Sequence, residues 1–250
     1  MNIIVGNHFR IMILMCTNIV IPVLSIYQTT FCMVTSRRPN GVTYVDRVVE
    51  TYEKQNIFRM DGVGLYIIDT DGSSNGKDGI VRLTDRILAK CDTQAQDREG
   101  IPSCQVRQRT LDITSALGKC AAVTSGWVIL VEDDCEICPN SLDEALVALS
   151  ELHTSEISMA KLSKNMCATA FPVSRVQAYV DATLQRLYTH PHDIILAEEW
   201  APPPVHVYKH FRNLFHHIGS VSTEVHKNSE LWQEKYSLLR EDTCGEELTP

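Results

Sequence analysis

The chain of 250 residues is 44% hydrophobic and 22% charged, the make-up of an ordinary globular protein with room for one large α/β domain or two small ones. Its formal net charge of -8, with no basic run longer than Arg37-Arg38, argues against a nucleic-acid partner and favours a cation-assisted small-molecule site. Nine cysteines are many for a reducing compartment. Cys91, Cys104 and Cys244 read as disulfide partners in an oxidising lumen, whereas Cys135-x-x-Cys138 leaves zinc or thiol exchange open. A zinc site would want a second ligand pair at metal spacing, and none accompanies it.

Ile11 to Tyr27 is the one candidate membrane segment, near the minimum spanning length and weakened by Thr17, Asn18 and Pro22. Without an A-x-A cleavage site after it, residues 1–30 read as an N-terminal signal anchor, the alternative being a buried apolar strand. Phe31 to Thr35 reads as a first buried strand, ending in Ser36-Arg37-Arg38-Pro39. Thr43, with Asp46 three residues on, suggests a helix start, and Val45, Val48, Val49 and Tyr52 form its inner stripe. Leu65 to Ile68 is the next strand, stopped by Asp69-Thr70-Asp71-Gly72, which completes a β-α-β unit with both strand ends on one side. Polar loops cover about 71–79 and 92–103, and a helix is expected from Thr110 to about Val123.

Trp127-Val128-Ile129-Leu130-Val131 is the strongest strand signal, apolar and mostly β-branched, as in a parallel strand buried on both faces. Glu132-Asp133-Asp134 stands at its carboxyl end, where ligands of open α/β sheets bind. Packed carboxylates repel one another, and a divalent cation is the simplest compensation; oxygen ligands favour Mg²⁺ or Mn²⁺. A solvated acidic turn is the alternative. Ser141-Leu142-Asp143-Glu144 and Ser174 with Gln177 read as capping boxes for two further helices. Met159 to Phe171 reads as strands and a loop, Trp200 to Pro204 forbids regular structure, Asn213 to Ser222 is strand-like, and 229–240 suggests a last helix. The fold class is therefore α/β, with a mostly parallel central sheet flanked by helices.

Arg107-Gln108-Arg109-Thr110-Leu111-Asp112, Trp127 to Asp134 and Asn213-Leu214-Phe215-His216-His217-Ile218-Gly219, taken in order, resemble the GT-A glycosyltransferases. Within that fold they are similar to the N-acetylglucosaminyltransferase IV group and the related GalNAc-transferase that acts on GPI-anchor mannose. The resemblance implies a GT-A-like single catalytic domain over 31–241, followed by a tail at 242–250. It implies a Mn²⁺- or Mg²⁺-dependent inverting enzyme that moves N-acetylhexosamine from a UDP-sugar to a GPI or N-glycan mannose, in the Golgi or ER lumen and anchored through its N-terminus. Asp133, Asp134 and His217 are the expected metal ligands, His216 being the less favoured of the two histidines. Thr35, Ser36, Arg37, Asp69, Asp71, Arg109, Glu132 and Asp133 are expected around the donor, with Arg107 as a further candidate. Asp193, or else Glu198, is the expected base for the acceptor hydroxyl, and Trp200 is a candidate for stacking on a sugar. The alternatives are a GT-A enzyme with another acceptor and a non-catalytic binder of nucleotide or glycan; a Ca²⁺-binding module is disfavoured by the β-α-β order.

Overall fold

A computed structural model describes residues 12–16, 19–23, 27–36, 38, 41, 43–71, 80–82, 88–89, 102–163, 167–190, 195, 206–219 and 244–245. The elements run β1 (Met12–Cys16), β2 (Ile19–Val23), β3 (Tyr27–Thr35), α1 (Val45–Lys54), a 3-10 turn (Ile57–Arg59), β4 (Val63–Asp69), β5 (Ile80–Arg82), α2 (Cys104–Ala122) and β6 (Thr124–Glu132). They continue with β7 (Cys135–Ile137), α3 (Ser141–Glu151), β8 (Met159–Lys161), β9 (Ala168–Pro172), α4 (Val173–Gln185), β10 (Val207–Lys209) and β11 (Phe215–His217). Seven strands make the central sheet in the order β10-β8-β9-β6-β3-β4-β5. β3, β4, β5 and β6 are mutually parallel, and β9 alone runs antiparallel to its neighbours. The α/β class with a mostly parallel sheet is as the sequence indicates.

Both faces of the sheet are covered, which is why its central strands read as unbroken apolar runs rather than alternating ones. Phe31, Met33, Ile129 and Val131 face one layer, packed with Val45, Val48 and Tyr52 of α1 and Leu142 and Leu149 of α3. Their neighbours Cys32, Val128 and Leu130 face the other, against Ile113 and Leu117 of α2 and Tyr179 of α4. The two-residue period of a strand thus builds two cores from one run of sequence.

All four described helix starts differ from expectation, three of them in the cap. Tyr44, not Thr43, occupies the cap of α1; α3 starts at Ser141 behind Asn140 at φ 61°; and α4 starts at Val173 behind Pro172. None of the three has a side-chain cap, and Asp143 and Glu144 complement the N-terminal end of the α3 dipole instead. Helix α2 begins at Cys104, earlier than Thr110, because the Ser103 hydroxyl accepts the Val106 N–H at 3.2 Å. Its first turns are rich in Gln and Arg, so apolar periodicity does not reveal them. The expected anchor contains β1 and β2, which pair antiparallel as a hairpin, and among the described residues no helix is long and apolar enough to cross a membrane. The expected helix at 229–240 lies outside the described residues.

The cysteines form cross-links. Cys32 of β3 is joined to Cys120 of α2, Cys135 of β7 to Cys167 before β9, and Cys138 to Cys244; Cys104 is also in a disulfide. Each half of Cys135-x-x-Cys138 therefore has a distant partner, which excludes the zinc and thiol-exchange readings of that motif. Cys32–Cys120 spans 88 residues, a long loop whose closure restricts the unfolded chain strongly. Replacing both with alanine should lower unfolding free energy by about 2–4 kcal/mol in urea titrations with the other bridges intact.

Candidate functional site

Strand β3 has β4 on one side and β6 on the other. The chain leaves β3 towards β4 and β5, then returns to place β6 against the opposite edge. Such a reversal opens a crevice beyond the carboxyl ends of the diverging strands. The register puts Val34 beside Glu132 and Thr35 beside Asp69, so three strand ends meet there.

Three carboxylates lie on consecutive residues at this crevice, and they are not equivalent. Asp133 is 2% exposed and faces Arg38, whose Nη1 and Nη2 donate to its two oxygens at 2.8 and 2.6 Å. Thr35 Oγ1 donates to Asp133 Oδ2 at 2.7 Å. The same Arg38 Nη2 donates to Asp134 Oδ2 at 2.8 Å, so one buried guanidinium holds two acids. Glu132 lies on the other side of the turn, with Arg109 Nη2 3.3 Å from its Oε1.

The far C-terminal motif closes the site. β11 pairs antiparallel with β7, bringing His217 opposite Cys135, and the Ile218 N–H donates to the Asp134 carbonyl at 2.9 Å. His217 Nε2 then stands 3.4 Å from Asp134 Oδ2 and 3.9 Å from Glu132 Oε2. Gly219 packs on the Asp134 side chain so closely that a Cβ there would overlap the carboxylate, 2.7 Å from its Cγ. His216 points elsewhere, 3.9 Å from Glu136, which itself pairs with Arg47.

Glu132, Asp134 and His217 can each offer a ligand atom, all within 4.8 Å of one another. Asp134 Oδ1 is buried and has no hydrogen-bond partner among the described residues. Two carboxylates, one of them with an orphaned buried oxygen, and an imidazole together fit a divalent cation. The electrostatics agree. Burial would raise the Asp134 carboxyl, but His217, Arg38 and Arg109 outweigh it and hold it below the usual carboxylate range. Burial and the Asp134 charge push Glu132 up, only partly offset by Arg109 and His217. Burial disfavours the Arg38 charge, yet the hydrogen bonds and charges of Asp133 and Asp134 hold it above its ordinary value.

The expected residues divide accordingly. Asp134 and His217 enter the ligand cluster, Glu132 joins them, and Asp133 is turned away to Arg38 and Thr35. Asp69 is buried at the end of β4, its Oδ1 accepting the N–H of exposed Asp71 at 3.1 Å, and Thr70 donates to the Thr35 carbonyl. Ser36 follows Thr35 at the rim, half-buried. Arg107 is buried over the Tyr188 ring, 5.2 Å from its centroid. Arg37, Asp193, Glu198 and Trp200 lie outside the described residues. Arg38 is the residue that sequence reading passed over: among basic residues after a strand, nothing local marks the one that turns inward.

No protein-family model matches the sequence, and no curated protein matches it. Solved structures similar in backbone include the following three. A glycosyltransferase involved in glycosylation of the major capsid of PBCV-1 aligns at 11% identity and TM-score 0.47, over 82% of this chain and 98% of that one. The galactosyltransferase LgtC, in complex with donor and acceptor sugar analogues, aligns at 9% and 0.42, over 72% of each chain. A nucleotide-diphospho-sugar transferase described as putative, from Desulfovibrio desulfuricans G20, aligns at 11% and 0.42, over 74% and 80%.

The tight seat of Asp134 against Gly219 makes a direct test. Gly219→Ala should displace the Asp134 carboxylate and weaken Mn²⁺ binding at least tenfold, read by the electron paramagnetic resonance of free Mn²⁺, while circular dichroism stays that of the wild type.

Proposed function

We propose that this chain is a metal-dependent inverting glycosyltransferase of GT-A type, moving N-acetylhexosamine from a UDP-sugar to a mannose of a GPI or N-linked glycan. The observation that carries the reading is the convergence of Glu132, Asp134 and His217 at the switch point, with Asp134 Oδ1 left without a partner among the described residues. The donor and acceptor classes rest on the resemblance of the three sequence segments named above.

Mn²⁺ or Mg²⁺ bound there supplies positive charge against the diphosphate as it departs. The protein's own groups do the rest. Arg109, beside Glu132, offers a second positive charge at the same end of the crevice. Asp69 and Asp71 at the end of β4, with Thr35 and Ser36 at the end of β3, line the side where a nucleoside would be held. Asp193 or Glu198 takes the acceptor hydroxyl's proton. Luminal placement in the Golgi or ER is supported by the disulfides, which persist in oxidising compartments. Membrane attachment is assigned to the apolar N-terminal stretch.

A ligand that binds only the folded state raises its melting temperature by mass action. UDP at about a hundred times its dissociation constant should raise the midpoint by roughly 5 °C or more in the presence of Mn²⁺. The shift should be absent without the metal and absent in Asp134→Ala. A UDP shift that ignores both metal and mutation would reject the assignment.

A further inference from the structure

Three adjacent acids face two guanidinium groups at the crevice: Glu132, Asp133 and Asp134 against Arg38 and Arg109. Counting these five groups alone, with His217 and the buried Asp69 left aside, three negative charges less two positive leave one net negative charge. Arg38 is 3% exposed, and its Nη2 lies on Asp134 Oδ2 at 2.8 Å, the oxygen that also stands 3.4 Å from His217. It is thus in the position of a resident cation, directly against a carboxylate of the ligand cluster and bidentate on the acid beside it. Arg109 is more open, and its Nη2 stands 3.3 Å from Glu132 Oε1. A divalent ion approaching the buried, unpartnered Asp134 Oδ1 meets a carboxylate whose other oxygen is already neutralised.

We propose that Arg38 is an internal counter-cation of this site: it keeps the acids assembled when no metal is bound and, by competing for Asp134, weakens the affinity for a bare divalent ion. The proposal rests on reading Glu132, Asp134 and His217 as a divalent-ion site. Like charges packed at a strand end repel, and in a poorly screened site the repulsion is large. Arg38 removes that repulsion without an exogenous ion, so the fold does not depend on metal. The same charge repels an incoming divalent ion across a short, buried distance. The consequence is a site that takes metal well only when an anionic group arrives with it and restores the charge balance.

Arg38 is a positioning residue with an electrostatic role, and its sign separates it from a purely structural one. If Arg38 only braced the turn, every substitution would loosen Asp134 and weaken metal binding. If it competes with the metal, removing its charge strengthens binding. Bare Mn²⁺ is titrated into the full chain, without nucleotide, by electron paramagnetic resonance of free Mn²⁺, with circular dichroism as the check on folding. Arg38→Gln, which keeps hydrogen bonding to Asp133 but not the charge, should bind Mn²⁺ at least tenfold more tightly than the wild type. Arg38→Met, which removes the charge while keeping a long apolar side chain, should tighten binding likewise, and it decides the matter if Arg38→Gln does not fold. Equal or weaker binding by folded variants, with the wild type binding Mn²⁺, overturns the counter-cation and leaves the metal site standing. Failure of the wild type and both variants to bind Mn²⁺ at millimolar concentration overturns the cation site itself.

Discussion

The contact on which the site depends is the Arg38 guanidinium lodged between Asp133 and Asp134. It crosses from the end of β3 to the turn after β6, the two strands where the sheet order reverses. Two carboxylates about 4 Å apart repel by about 4 kcal/mol at an effective dielectric constant near 20. A turn carrying three acids in a buried crevice would therefore splay or take up protons without a cation in place. With Arg38 and the Thr35 hydroxyl on Asp133, the turn has a defined shape before any ligand arrives. A buried ion pair adds little net stability, because desolvating both partners is costly; its effect here is to fix one geometry out of several.

The rest of the architecture holds that geometry from behind. Asp134 is followed directly by Cys135, cross-linked to Cys167 just before β9, the strand antiparallel to β6. Cys138, at the other end of β7, is cross-linked to Cys244 and donates its N–H to the Leu214 carbonyl. The segment carrying His217 and Gly219 is thus bound to the acidic turn by strand pairing and lies beside two covalent links. Side chains placed in this way keep their positions within the small tolerance that binding chemistry requires.

Much of this was legible in the residues, and the limits have physical causes. The central strands were visible because a strand buried on both faces needs unbroken apolar sequence, as in Trp127 to Val131. The pairing of Glu132-Asp133-Asp134 with His217 followed from resemblance, since local periodicity cannot bring together residues more than eighty positions apart. The cap signals at Thr43, Ser141 and Ser174 do not set the helix starts, because the backbone there, such as Asn140 in the left-handed region, overrides a local side-chain signal. The two halves of the C-x-x-C motif suggested a single function because they are close in sequence, yet β7 runs between them and they leave for different partners. Arg38 could not be singled out from Arg37 by sequence, because which arginine turns inward is decided by where Asp133 points, a residue 95 positions away.

The division of labour among the three acids has a simple geometric root. Side chains along an extended chain alternate in direction, so at the end of a strand the first and third of three residues tend to one side and the second to the other. Asp133 and Asp134 form the turn after β6, and the turn keeps that distribution: Glu132 and Asp134 reach the His217 side, and Asp133 points to Arg38 and Thr35. A run of three consecutive carboxylates can then supply two groups to a common ligand, while the middle one needs its own neutralisation from within the fold. Arg38 provides it and extends the same charge to Asp134. The feature that makes the acidic turn stable without metal therefore also tunes how strongly metal is drawn to it.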